Sequence, residues 1–82
     1  MDFDFLDSKT PATIDEIRIR VGNALAHHPL CRNVSFDIVS LPRSRRGANW
    51  TATLQSSEPL AFWEASGIVV DIQEAYELAS GL

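Results

Sequence analysis

Cysteine is nearly missing from this chain. Cys31 is the only one, so no internal disulfide framework can hold the fold, and a reducing compartment, the cytoplasm, is the expected home. Long apolar runs are missing too: none approaches the ~20 residues needed to cross a bilayer. The opening Met-Asp-Phe-Asp-Phe has neither the basic region nor the apolar core of a secretory signal. Cations are scarce, with 7 Lys and Arg against 11 Asp and Glu and a formal net charge of -4. That balance argues against attraction of the whole chain to nucleic acid or anionic lipid, so any such contact has to be local. There is no Gly-x-Ser-x-Gly, no Gly-rich phosphate loop and no His-Glu-x-x-His. No internal repeat is visible.

What is present is an ordinary folded composition, 45% hydrophobic and 22% charged over 82 residues. That length allows one domain with a modest core. The most informative stretch runs from Val34 to Ser56. Two alternating segments, Val34–Leu41 and Asn49–Ser56, flank the turn-like Pro-Arg-Ser-Arg-Arg-Gly-Ala and predict an antiparallel hairpin. Val34, Phe36 and Ile38 share one face of the first strand; Trp50, Ala52 and Leu54 share one face of the second. Ile38 opposite Ala52 keeps both apolar sets together, and a slip of one residue separates them. The other face carries Ser35, Asp37, Val39, Thr51, Thr53 and Gln55, as expected for a sheet covered on one side.

A helix is predicted on each side of the hairpin. Thr13-Ile14-Asp15-Glu16 is a capping box. Behind it, Ile14, Ile17, Val21, Ala24, Leu25 and His28 form one apolar stripe, and Pro29 ends the element. The second helix is expected after an N-cap at Ser57, with Ala61, Ala65, Ile68, Ile72, Ala75 and Ala79 on its apolar face and Phe62, Val69 and Tyr76 bordering it. Asp71, Glu74 and Glu77 fall on its wet side. Gly67 inside this run marks a break or a close approach to the sheet. A rival reading makes 67–72 a third strand, because Ile68, Val69, Val70 and Ile72 are β-formers. The resulting order, helix, three strands, helix, resembles that of double-stranded-RNA-binding domains. Those begin their final helix with lysines, whereas Asp71, Gln73 and Glu74 stand here and would repel a phosphate backbone.

The expected fold class is therefore α+β: helix, strand, strand, helix, with an antiparallel hairpin and both helices packed on one face. Residues 1–12 read as a loosely attached N-terminal segment broken at Pro11, and 13–80 as the domain. The alternation of Phe3 and Phe5 with Asp2 and Asp4 also suits an extra edge strand. A lone two-stranded sheet is marginal, so either the N-terminal segment or a second molecule is expected to extend it.

Candidate chemistry is sparse. The hairpin tip concentrates Arg43, Arg45 and Arg46, three of the 7 cations. Arginine forks match phosphate, a β-ribbon can enter a major groove, and Trp50 is close enough in sequence to stack on a base. The plain alternative is a solvated tip with Trp50 in the core. His27, His28 and Cys31 have a metal flavour but fall short of a zinc ligand set. They read as a helix end: His28 partly buried, His27 exposed near the negative dipole end, and Cys31 a small buried hydrophobe. No cofactor, metal or small-molecule ligand is implied, and no membrane. The expected function is non-enzymatic: a protein-interaction or self-associating domain, with a protein partner or a homodimer formed through the sheet edge. The alternative is a nucleic-acid-binding module using Arg43, Arg45 and Arg46.

Overall fold

The capping box sets where the first helix begins. In the computed structural model, which describes residues 9–42 and 48–79, the Glu16 N–H donates to Thr13 Oγ1 at 3.1 Å, and the Thr13 N–H donates to Glu16 Oε1 at 2.8 Å. Helix α1 follows as Ile14–His27. His28, held extended by the following proline, closes it with its N–H on the Leu25 carbonyl. The inward face is Ile17, Val21 and Leu25, all buried. Ile14 lies at the margin, and Ile19, off the stripe, is exposed.

The hairpin forms in the expected register. β2 (Ser35–Ser40) and β3 (Trp50–Gln55) run antiparallel with Ile38 opposite Ala52 and Phe36 opposite Leu54. Trp50 and Ile38 are buried, while Phe36 and Leu54 are only half-covered. The Phe36 ring lies beside Gly22 of α1, close enough that an added Cβ there would stand 3.4 Å from it. Glycine thus gives this aromatic ring room against the helix.

Helix α2 spans Pro59–Ala75, so the strand reading of 67–72 is wrong. Proline occupies the first turn, where its missing N–H costs nothing. The N-cap is Glu58, one residue later than expected, and its side chain caps nothing. Ser56 accepts the Glu58 N–H instead, at 3.1 Å. The buried face is Ala61, Ala65 and Val69. Ile68 and Ile72 flank it, half-covered, so the inward face is centred closer to Val69 than the spacing implied. Gly67 neither breaks the helix nor approaches the sheet: an added Cβ there would meet nothing within 4 Å.

The helix stops at Ala75, and two short strands close the fold. β4 (Tyr76–Leu78) pairs in parallel with β1 (Thr10–Ala12), with Pro11 opposite Glu77. Pro11, expected to break regular structure, is tolerated because β1 is an edge strand. The Phe3 and Phe5 alternation lies outside the described residues; the short strand at Thr10–Ala12 pairs with β4 and leaves the hairpin as a separate two-stranded sheet. Ala79 was expected to prolong the helix; its N–H instead donates to the Ala12 carbonyl at 2.8 Å.

Side chains link the two small sheets. The Asn49 carboxamide acts as a strand would: Nδ2 donates to the Leu78 carbonyl and Oδ1 accepts the Leu78 N–H, both at 2.9 Å. Next to it, Trp50 Nε1 donates to the Tyr76 carbonyl at 3.1 Å, and Gln73 Nε2 donates to the Trp50 carbonyl at 2.7 Å. On the other side, the Arg20 guanidinium stands 4.5 Å from the centre of the Tyr76 ring, a cation–π contact. The result is an α+β fold with one core. Ile17, Val21, Leu25, Cys31, Val34, Ile38, Trp50, Ala61, Ala65 and Val69 fill it, and Ala12 closes it at β1.

Candidate interaction surface

The residues that raised metal or nucleophile chemistry resolve into structure. Cys31 is fully buried, with its sulfur 3.8 Å from the Ala61 carbonyl oxygen. Burial, and secondarily the Glu64 carboxylate, push its thiol above the ordinary value. A protonated, enclosed thiol is not a nucleophile. His28 Nδ1 accepts the Leu30 N–H at 3.2 Å, and its Nε2 stands 3.6 Å from Glu64 Oε1. His28 thus ties the end of α1 to α2. His27 is exposed, with Nδ1 2.7 Å from the Asn23 carbonyl oxygen. Among the described residues no group of three or more His, Cys, Asp or Glu side chains is placed to hold a metal ion. No helix among them is long and apolar enough to cross a membrane.

The basic tip, Arg43, Arg45 and Arg46, lies outside the described residues. Trp50 does not. It is 0% exposed, and its indole N–H is committed to Tyr76. It belongs to the core and offers no face to a base.

The strand edges are partly blunted. The Leu41 N–H donates to the Asn49 carbonyl at 2.8 Å, which fixes the ladder's alternation. Odd-numbered residues of β2 and β3 bond across the hairpin, and even-numbered ones point their backbone groups outward. On β3, the outward carbonyl of Trp50 is taken by Gln73. On β2, the outward N–H of Ile38 turns to the Asp37 carboxylate at 3.1 Å. A carboxylate on an edge and a proline in β1 are both devices that discourage strand addition.

Among the described residues, an apolar surface lies on the outer side of α2. At about 100° per residue, Leu60, Trp63, Gly67 and Val70 fall on one stripe, opposite the inward Ala61, Ala65 and Val69. Trp63 is 74% exposed, Leu60 59% and Val70 48%. Trp63, Ser66, Gly67 and Val70 line a shallow apolar groove. Its one polar side chain, Ser66, donates its hydroxyl to the Phe62 carbonyl at 3.0 Å, which leaves the groove floor without an unsatisfied donor. Asp71 and Glu74 are the charges beside its C-terminal end, and α2 carries no cation along its length. This helix therefore puts its small side chains inside and its large ones outside. The sequence signal for that inversion is Trp63 and Leu60 falling between the inward positions. It is hard to see in a helix that is apolar on nearly every side.

No protein-family model matches this chain, and neither a curated protein nor a solved structure shows significant similarity to it.

Proposed function

We propose that this chain is a small non-enzymatic binding domain whose outer α2 face receives another polypeptide surface. The observation that carries the reading is the exposed Leu60–Trp63–Val70 stripe around Gly67. Tryptophan is enriched among the residues that dominate interface energetics, and contiguous exposed apolar patches mark interaction sites. The fold has no need of the stripe, because the opposite side of the helix supplies the core. The buried free cysteine fits a reducing compartment, the cytoplasm. The nucleic-acid reading rests on Arg43, Arg45 and Arg46 alone, since Trp50 lies in the core.

A displayed peptide library selected against the wild-type chain tests the proposal. The expected result is a set of clones that bind wild type and lose binding to the Leu60→Ser/Trp63→Ser/Val70→Ser variant. Clones that bind both proteins equally would place the contact elsewhere. If the only retained ligand is a nucleic-acid probe at about 50 mM salt, the basic tip takes over as the functional surface.

A further inference from the structure

We infer that the occupant of this face is a second copy of the same chain, with two α2 helices packed antiparallel about a two-fold axis at the level of Ala65. This rests on the reading of the outer α2 face as a polypeptide-binding surface and names its partner.

The argument begins with Gly67. Glycine in a helix interior costs about 1 kcal/mol relative to alanine. Nothing in the chain's own packing asks for it, because a Cβ there would meet open space. The groove that glycine leaves is bordered by Trp63 one turn away. In an antiparallel pair centred on Ala65, Trp63 of each copy faces Gly67 of the other. Leu60 of each faces Val70 of the other. Large meets absent, and aliphatic meets aliphatic, in both halves at once. A two-fold contact requires this self-complementarity, since each contact occurs twice. Gly67, close to the axis on the outer face, also lets the two helix backbones approach closely.

Charge bears on the orientation of the pair. The first turn of α2 has no acidic side chain, and the Glu58 N-cap makes no side-chain bond to it. The Glu58 carboxylate at the N-cap is thus the one acidic group at its positive dipole end. Antiparallel pairing spreads the carboxylates: Asp71 of the partner helix comes to the level of Pro59 and Glu74 to the level of Ser56, on either side of Glu58 and not at the same level as it. A parallel pair would align Asp71 with Asp71 and Glu74 with Glu74. Glu64, which lies closer to the axis, already faces His28 of its own chain.

The area sets the strength. Each copy contributes one 17-residue helix, about 25 Å long at 1.5 Å per residue. One helix face is less than the ~800 Å² per partner of a standard interface. The dimer is therefore reversible, with a dissociation constant on the order of micromolar or weaker.

Sedimentation equilibrium of the full chain tests this across roughly 10 μM to 1 mM, the range in which a weak interface titrates. The wild-type mass is expected to climb from 9.1 kDa toward twice that value. Trp63→Ala leaves a hole and Gly67→Leu fills one, so each is expected to weaken association at least tenfold. Combining them puts a large side chain at position 67 against a small one at position 63, and association is expected to return. Circular dichroism at the lowest concentration verifies that each variant is folded; if one is not, Leu60→Ser with Val70→Ser replaces it, with the same loss expected. A wild-type mass that stays at the monomer value overturns the inference. So does association undiminished in the single variants, which would move the contact to the strand edges, or a double variant as weak as the single ones. If wild type is monomeric but peptides selected on it still depend on the α2 stripe, only the second copy is wrong. If no such peptides exist, the surface itself is wrong.

Discussion

The two tryptophans of this chain have the same chemistry and opposite situations. Trp50 opens β3 with no exposed surface, and its indole N–H is hydrogen-bonded to the Tyr76 carbonyl. Trp63 stands on α2 with three-quarters of its surface in water. The first joins the hairpin to the strand pair that closes the chain. The second is no part of the buried core. An apolar side chain contributes to stability through the area it removes from water. By that measure Trp50 belongs to folding, and Trp63 is the side chain on which the proposed association depends.

The sharpest way to break the comparison is to truncate both. Trp50→Ala should cost about 3–5 kcal/mol, as for other buried aromatic residues. That is enough to unfold much of a small domain. Trp63→Ala should change stability by no more than about 0.5 kcal/mol, the usual span at an exposed site. Urea titration of dilute protein measures both. Similar losses at the two positions would mean that α2 has been placed with the wrong face inward.

A smaller effect separates the two sheets. Asn49→Ala removes both hydrogen bonds to Leu78. Leaving these partly buried backbone groups unsatisfied should cost about 1–3 kcal/mol. The damage should be local, seen as faster hydrogen exchange at the Leu78 amide, while amides within β2 and β3 keep their protection. Equal loss of protection in the hairpin would show that the two strand pairs unfold as one unit.

Gly67→Ala gives a small change in stability and has the opposite sign. Its Cβ meets open space, so helix propensity alone should raise stability, by at most about 1 kcal/mol. Thermal unfolding of dilute protein measures it. Destabilisation would imply a close neighbour on the outer face of α2.

Much of this fold could be read from the residues because its causes are local. Thr13 and Glu16 lie three positions apart and cap one another. The period-two alternation placed Ile38 opposite Ala52 and Trp50 inside. Cys31 and His28 took the structural roles that their types favour. The closing strands were not legible, because three residues are too few to show alternation. What fixes them comes from distant side chains: Asn49 bonds to Leu78, and Trp50 to Tyr76. The sequence likewise approximated the inward face of α2 but missed the outer one. Leu60, Trp63 and Val70 interrupt the apolar periodicity that identifies a buried helix face. The arginine cluster of the tip drew attention in the sequence, whereas the tryptophan that stands out in the structure drew none.

The thermal midpoint as a function of protein concentration, for wild type beside Trp63→Ser, tests most directly whether the outer face of α2 serves association and not folding. Self-association makes a midpoint rise with concentration, whereas a monomer's stays constant. The account predicts curves that coincide in dilute solution and separate as concentration increases, with only the wild-type midpoint rising. Two flat, superimposed curves would contradict self-association. A Trp63→Ser midpoint depressed at every concentration would show instead that Trp63 helps to hold the fold.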